Sequence, residues 1–294
     1  MRPDGWQLTE DLDDFLAGAG DFLRSRPALH NTPLTTIERL RTCGADAYGA
    51  GATVFGRLER AGEVRAAFYR LPSRGLTLTP LTAGQADTLA ARLAALGHSL
   101  PYVSADHGTA TAFAGAWQRR TGAVPTLSKR IRLYRLGALT PPQPLPEGRG
   151  RVAGERDHEQ LVRWCSEFCA AVGEVPAGSW AGSRFADRHF TFWETPDGTP
   201  VSMAAVTSMV AGMVRVDPVH TPAHLRGRGY AGAVTAEVSR AALAAGATDV
   251  VLYADPANAT SNALYQRIGY VPVTECSVYD FSTGGRSAGG RPPA

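Results

Sequence analysis

Apolar and polar positions along the chain change period several times, and the sharpest change lies near residue 220. Met213 to Val219 is extended and β-branched, whereas Ala231, Val234, Thr235, Val238, Ala241, Ala242 and Ala245 recur at helical spacing until Gly246. The pattern predicts a strand over 213–221 that runs through a basic, glycine-rich turn into a helix. Upstream, Leu8, Leu12, Phe15, Leu16 and Phe22-Leu23 predict a helix over 9–24, and Leu34, Ile37 and Leu40 another over 31–41. Glu63–Leu71 and Leu76–Thr79 read as a hairpin turned at Pro72-Ser73-Arg74-Gly75. A helix over 82–96, a strand at Pro101-Tyr102-Val103, a helix over 109–121 closed by Gly122 and a strand over 126–136 follow.

Residues 140–150, Thr-Pro-Pro-Gln-Pro-Leu-Pro-Glu-Gly-Arg-Gly, have the composition of a stiff linker. They separate an expected first domain, 1–139, from a second, 151–281. The second begins with a helix over 157–172 and a hairpin of 190–194 and 201–207 turned at Pro196-Asp197-Gly198. After the central strand and helix come the strand Val250-Val251-Leu252-Tyr253-Ala254, a helix over 261–268 closed by Gly269, and strands at 271–273 and 276–281. Both halves read β-β-α-β-α-β, so the fold class expected is α/β with a mixed sheet, in two related copies. Residues 282–294, rich in Gly, Ser, Arg and Pro, read as a disordered tail.

A chain of 294 residues with 44% hydrophobic content can bury substantial cores. No apolar run approaches the roughly 18 residues of a membrane span, and Met1-Arg2-Pro3-Asp4-Gly5-Trp6 lacks a signal-peptide pattern, so a cytoplasmic protein without membrane contact is expected. The net charge of +3 is carried almost wholly by scattered arginines, which leaves no footprint for nucleic acid. Cys43, Cys165, Cys169 and Cys276 form no CxxC pair and complete no ligand spacing with His189, His220 or His224, so free thiols and no metal are expected.

The turn itself carries the chemistry. Small residues and arginines at Arg226-Gly227-Arg228-Gly229-Tyr230-Ala231-Gly232 precede a helix, where the first amides lack intrahelical acceptors and the dipole is positive. A pyrophosphate fits such a place. Two frames describe it. Gly227 to Gly232 matches G-x-G-x-x-G with Asp255 after the next strand, which would make the chain an NAD(P)-dependent oxidoreductase. Against this, Thr221 to Arg226 intervene between strand and first glycine, and too little chain follows Asp255 for a doubly wound sheet. The other frame is Arg226-x-x-Gly229-x-Ala231.

In that frame the second half resembles the GCN5-related N-acetyltransferases. Val219-His220-Thr221 stands where the family's central strand ends, and Asn258-x-x-Ser261-x-x-x-Tyr265-x-x-x-Gly269-Tyr270 is similar to its C-terminal motif. The resemblance covers roughly 150–281. It implies a sheet splayed around acetyl-coenzyme A, with Val219, His220, Thr221, Asn258 and Asn262 along the pantetheine arm. Arg226, Gly227, Arg228, Gly229, Tyr230, Ala231 and Gly232 would meet the phosphates. Tyr265 would be the general acid for the departing thiolate, the alternative for an aromatic on a helix being core packing. The acceptor implied is a primary amine of a small molecule or amino acid; a coenzyme A-binding regulatory protein without turnover is the other reading.

The general base stays open at this level. The position five residues before Asn258, acidic in some relatives, is Tyr253 here. Asp217, Glu174, Asp187, Glu194 and His220 all qualify by type; His220 is preferred because it adjoins the expected carbonyl site and titrates near neutrality, about 6.5 unperturbed. Trp180, Phe185, Phe190 and Trp193 hint at an aromatic acceptor cleft, with core as the alternative. In the first half the corresponding turn, Thr79-Pro80-Leu81-Thr82-Ala83-Gly84, has neither arginines nor paired glycines, so that copy is expected to bind no coenzyme.

Overall fold

The computed structural model describes residues 5–72 and 74–282; of the tail expected at 282–294, Ser282 ends the last strand and 283–294 lie outside the described residues. The chain divides into two compact units that are discontinuous in sequence: Met1–Phe22, Tyr48–Arg130 and Glu275–Ala294 form one, Leu23–Ala47 and Ile131–Thr274 the other. The proline-rich stretch 140–150 falls within the second.

The first unit holds β1 (Gly5–Thr9), β2 (Val54–Arg60), β3 (Glu63–Arg70), β4 (Leu76–Leu78) and β5 (Tyr102–Asp106), adjacent in that order. Only β4 and β5 run parallel, Leu76 opposite Val103. Beside β5 lies the last strand of the chain, β12 (Tyr270–Ser282), antiparallel through Cys276↔Asp106 to Asp280↔Tyr102. Leu89 and Leu93 of α3 (Ala83–Ala95) and Phe113 and Trp117 of α4 (His107–Thr121) bury against Phe68, Leu78 and Val103. Thr82 starts α3 with a capping box, its hydroxyl accepting the Gln85 amide while the Gln85 side chain accepts the Thr82 amide.

In the second unit the order is β6-β11-β10-β9-β8-β7. These are β6 (Val124–Leu136, with 131–136 in this unit), β7 (Arg149–Val152), β8 (His189–Glu194), β9 (Pro200–Val206), β10 (Met213–His220) and β11 (Asp249–Ala254). Again a single neighbouring pair is parallel, β10 with β11. Residues 132–135 of β6 run antiparallel to β11. Each unit's sheet is thus completed by a strand taken from the other stretch of sequence. α6 (Tyr230–Ala244) covers one face through Val234 and Val238, packed on Val214, Val216, Val250 and Leu252 together with Tyr265 of α7 (Ala259–Arg267). On the other face Leu161, Trp164, Cys165 and Cys169 of α5 (His158–Ala171) pack on Phe190, Phe192 and Met203. α2 (Asn31–Cys43) belongs to this unit, whereas α1 (Leu12–Arg24) spans the division. A mixed sheet with one parallel pair is not a doubly wound parallel sheet, which removes the dinucleotide fold as a reading of the glycines.

Three strands escape the sequence pattern, each for a physical reason. β1 precedes the helix expected from residue 9 and exists by pairing with β2, Leu8 opposite Gly56. β2, Val-Phe-Gly-Arg-Leu-Glu-Arg, breaks its alternation with Gly56 and Arg57, yet lies between two partners. β7 is Arg-Gly-Arg-Val and is held by β8 and by Arg151, which bonds Asp157 at 2.8 Å and Glu194 at 2.5 Å. Conversely 271–273 and 276–281 are one strand, β12, because nothing turns the chain at Thr274-Glu275. Among the described residues no helix is long and apolar enough to cross a membrane.

The aromatic residues read as a possible cleft are mostly core: Phe185, Phe190 and Trp193 are buried and Trp180 packs against the same cluster as Phe190. Cys165 and Cys169 are buried beside them, and burial pushes the Cys165 thiol up to about 12. A thiolate is the reactive form, so a thiol reagent should leave Cys165 and Cys169 unmodified until denaturant is added, while exposed Cys43 reacts at once and Cys43→Ser removes that fast phase. Rapid labelling of Cys165 in the native protein would contradict this packing.

Candidate active site

The second unit opens where its only parallel pair ends. β10 and β11 are in register from Met213↔Asp249 to Val216↔Leu252 and no further. Beyond that point β11 keeps to β6, with Ala254 opposite Arg132, while β10 keeps to β9. Its register on β9 shifts there: Val216 faces Val206 but Val219 faces Ala204, three steps against two, and Pro218 inside this bulge has no amide to give a ladder. The strands therefore part with Asp217, Val219 and His220 on one side and Tyr253 on the other.

The loop after β10 forms one wall. Gly227 and Gly229 have φ of 78° and 82°, conformations that disfavour any side chain, and Gly229 is the N-cap of α6 without a side-chain cap. The first intrahelical bond is from the Ala233 amide to the Gly229 carbonyl, 3.1 Å, so the amides of Tyr230, Ala231 and Gly232 have no intrahelical acceptor. Here α6 differs from α3, whose first turn is self-capped. Arg228 is exposed beside the loop, and Arg226 braces it by donating Nε–H to the Thr221 carbonyl at 3.0 Å. Pro142 and Pro146 pack close to Gly232 and Gly229; a Cβ at Gly232 would lie 3.2 Å from Pro142. These prolines carry no motif, and by composition alone they read as linker.

At the other end of the opening stands α7. Asn258 is its N-cap, accepting the Ser261 amide at 3.0 Å through Oδ1, which leaves the side-chain NH₂ for a ligand. Asn262 is committed internally: Nδ2–H donates to the Asp255 and Asn258 carbonyls, 2.7 Å each, and Oδ1 accepts from the Tyr134 hydroxyl at 2.6 Å. It braces the turn, and Asp255 does likewise by accepting the Ala257 amide. The Tyr265 ring is buried between Tyr134 and Tyr270, and no hydrogen bond is made by its hydroxyl among the described residues. Burial, and after it the nearby Asp217 charge, push its phenol above the ordinary tyrosine range, so it holds its proton at any physiological pH.

His220 is buried at the end of β10, its ring against Trp164, and Nε2 lies 2.9 Å from Glu167 Oε2. Burial lowers its pKa below 6.5, the Glu167 contact opposing that shift without cancelling it. The ring is then neutral at pH 7, and because an ionised carboxylate only accepts, Nε2 carries the proton and the lone pair sits on Nδ1. Glu167 has no sequence signature; only the packing of α5 on β10 brings it there. The carboxylates that the sequence offers as bases are all held by arginines. Asp217 and Glu174 both bond Arg184, the latter at 3.1 Å; Asp187 bonds Arg188 at 3.3 Å; buried Glu194 bonds Arg151. His220 alone of the five has no guanidinium partner. Tyr253 receives Asn31 Nδ2–H on its hydroxyl at 3.0 Å and lies 3.2 Å from the Thr32 hydroxyl.

Residues 203–278, which contain β10, the loop, α6, β11 and α7, match the family described as FR47-like protein. No curated protein matches the sequence. Among solved structures, a GCN5-related N-acetyltransferase from Sphaerobacter thermophilus is similar with a TM-score of 0.60 and 18% identity, over 95% of this chain and 96% of its own. One from Kribbella flavida gives 0.51 and 20%, over 76% and 88%. A tandem GNAT protein from the clavulanic acid biosynthesis pathway gives 0.54 and 15%, over 96% and 99%. The chain thus has the fold of the GCN5-related N-acetyltransferases over nearly its whole length, as the tandem protein has, and the FR47-like match lies on the stretch that builds the opening.

Proposed function

We propose that the chain is an acyl-coenzyme A-dependent N-acyltransferase that moves acetyl from acetyl-coenzyme A to a primary amine. The observation that carries the proposal is the uncapped N-terminus of α6, walled by Gly227 to Gly232, next to the point where β10 and β11 part, with buried Tyr265, whose hydroxyl makes no hydrogen bond among the described residues, near Asp217 of β10. The residues present fit the coenzyme. Free amides of Tyr230, Ala231 and Gly232 with the positive helix end suit a pyrophosphate, Arg228 adds charge, and the Asn258 NH₂ and the strand edge at Val219 suit amides of a pantetheine arm. Acetyl-coenzyme A when bound supplies an activated acetyl thioester.

The protein's own groups then have separable tasks. His220, neutral and held by Glu167, takes the proton of the attacking amine on Nδ1. Tyr265, protonated and without a partner, gives its proton to the sulfur as the carbon–sulfur bond breaks; the nitrogen gains the acetyl group and the thiol leaves neutral. A strand amide at Val219 or His220 polarises the thioester carbonyl. The first unit takes no part in coenzyme binding, since Thr82 and Gln85 already satisfy the start of α3.

Binding to the native state raises apparent stability, so acetyl-coenzyme A should raise the unfolding temperature of the purified protein and NADH should not. Arg228→Glu, at an exposed position, should weaken that stabilisation about tenfold in ligand concentration and leave the unliganded protein unchanged. No rise at saturating acetyl-coenzyme A sinks the proposal. Tyr265→Phe should lower kcat by about 100-fold, in the range of lost acid–base catalysis, with coenzyme stabilisation intact; stabilisation without acyl transfer to any amine identifies a regulatory coenzyme-binding protein instead.

His220 gives the pH dependence. Its folded pKa lies below 6.5, so the base is competent at neutral pH and kcat/KM should fall only as pH drops below about 6.5. Glu167 raises that pKa, hence Glu167→Gln should move the acid limb to still lower pH. A limb above pH 7, or one that Glu167→Gln leaves in place, removes His220 from the mechanism.

A further inference from the structure

The faces of the opening are not alike. Val214 and Val216 of β10 and Leu252 and Ala254 of β11 point to α6 and the coenzyme loop, so the alternating positions Arg215, Asp217 and Tyr253 belong to the opposite face, where α2 and the segment 183–188 lie. That face is charged and polar. Arg184 bonds Asp217 and sits 4.3 Å over the Phe185 ring. Arg215 donates Nη1–H to Asn31 Oδ1 at 3.2 Å, and Asn31 in turn donates to Tyr253. Arg188 has 8% of its side chain exposed, and its ion pair is with the adjacent Asp187.

Two features show that this group is built for something further. The Nε atoms of Arg184, Arg188 and Arg215 are buried and have no hydrogen-bond partner among the described residues, although each guanidinium presents donors in a fork that suits a planar two-oxygen anion. Counted with the ion pairs they make, four guanidinium charges (Arg39, Arg184, Arg188 and Arg215) face three carboxylates (Glu174, Asp187 and Asp217), which leaves one positive charge unmatched. Burial and the neighbouring Arg215 press the Arg188 guanidinium below its ordinary value, a strain an incoming anion relieves. A carboxylate, with one charge, closes the balance; a phosphate, near two at neutral pH, overfills it. The group meets solvent at Arg184, 40% exposed, and reaches the bulge of β10 through Asp217, the residue whose charge Tyr265 feels.

We infer that the acceptor amine carries a carboxylate, received by Arg188 and Arg215 on the face of the opening away from α6. The substrate class is an amino acid or a similarly small amino carboxylate, entering from the α2 side while the thioester comes from the α6 side. This rests on the acetyl-transfer reading above. Arg184 is occupied by Asp217 and Glu174 and serves as a wall, which leaves Arg188 and Arg215 as the receiving pair.

The test compares the common L-amino acids with their carboxamides as acceptors, with thiol release from acetyl-coenzyme A as readout, in the wild type, Arg188→Gln and Arg215→Gln. Stabilisation by acetyl-coenzyme A is measured alongside in all three. The expected result is at least one amino acid with kcat/KM tenfold or more above its carboxamide, a preference that falls to about unity in either variant while coenzyme stabilisation persists. Should Arg188→Gln fail to fold, Arg215→Gln and Arg188→Lys carry the comparison, the lysine variant keeping charge but losing the fork. Carboxamides used as well as acids, a preference that survives both variants, or no amino acid acetylated by a protein that acetyl-coenzyme A still stabilises each overturns the carboxylate inference and leaves the coenzyme reading standing. Absence of coenzyme stabilisation in the wild type brings down both.

Discussion

The second unit depends on the parting of two parallel strands after four paired residues. Backbone amides and carbonyls that lose a ladder partner must find another, because an unmade buried hydrogen bond costs about 1–3 kcal/mol. β10 meets this cost on its β9 side, through the bulge between Val216 and Val219 and through Ser202, whose hydroxyl donates to the His220 carbonyl at 3.0 Å. β11 meets it on the β6 side, with 132–135 supplied from the first half of the sequence. Each strand is held from outside, and so a cleft can stay open between them. That cleft brings Tyr265, Asp217 and the start of α6 to one place.

Charge is then divided across the sheet. On the α6 face an uncapped helix end and the exposed Arg228 leave positive potential for phosphates, while apolar Val234 and Val238 anchor the helix. The other face carries arginines and carboxylates in close pairs. These pairs are half-buried, and ordering and partly desolvating them costs about what their attraction returns. Donors left unmade at Arg188 and Arg215 add to that cost. Such an arrangement is the kind of local disadvantage a binding site keeps because a ligand completes it.

The two units show how little backbone order alone says about activity. Both place a helix after the strand that starts their parallel pair, α3 after β4 and α6 after β10. Thr82 and Gln85 cap the first; Gly229 leaves the second open. In the first unit, moreover, the Thr109 hydroxyl accepts the Leu81 amide at 2.8 Å, so a side chain satisfies a backbone donor next to the turn. One fold thus carries a closed and an open version of the same turn, and the difference lies in a few residues.

Much of this is legible in the amino-acid sequence alone. Helical and strand periodicity locates α1 to α7 and most of the sheet, because amphipathic spacing is a local property. Arg226-x-x-Gly229-x-Ala231 and the Asn258 to Tyr270 motif locate the opening, because positive φ, helix caps and short motifs are local as well. Pairing is not legible. β1, β2 and β7 carry too little alternation to announce themselves, and the exchange of β6 and β12 between units depends on contacts over more than a hundred residues. The base is undecided in the sequence for the same reason. Five residues have the right chemistry for the proposed base, and only the tertiary structure pairs four of them with arginines and sets Glu167 on α5 against the fifth, His220 on β10. Asn31, Arg188 and Arg215 come together by the same means, from separate stretches of chain. Local spacing determines what a segment is; which side chains meet across segments is decided by burial and charge compensation, and those exist only in the folded protein.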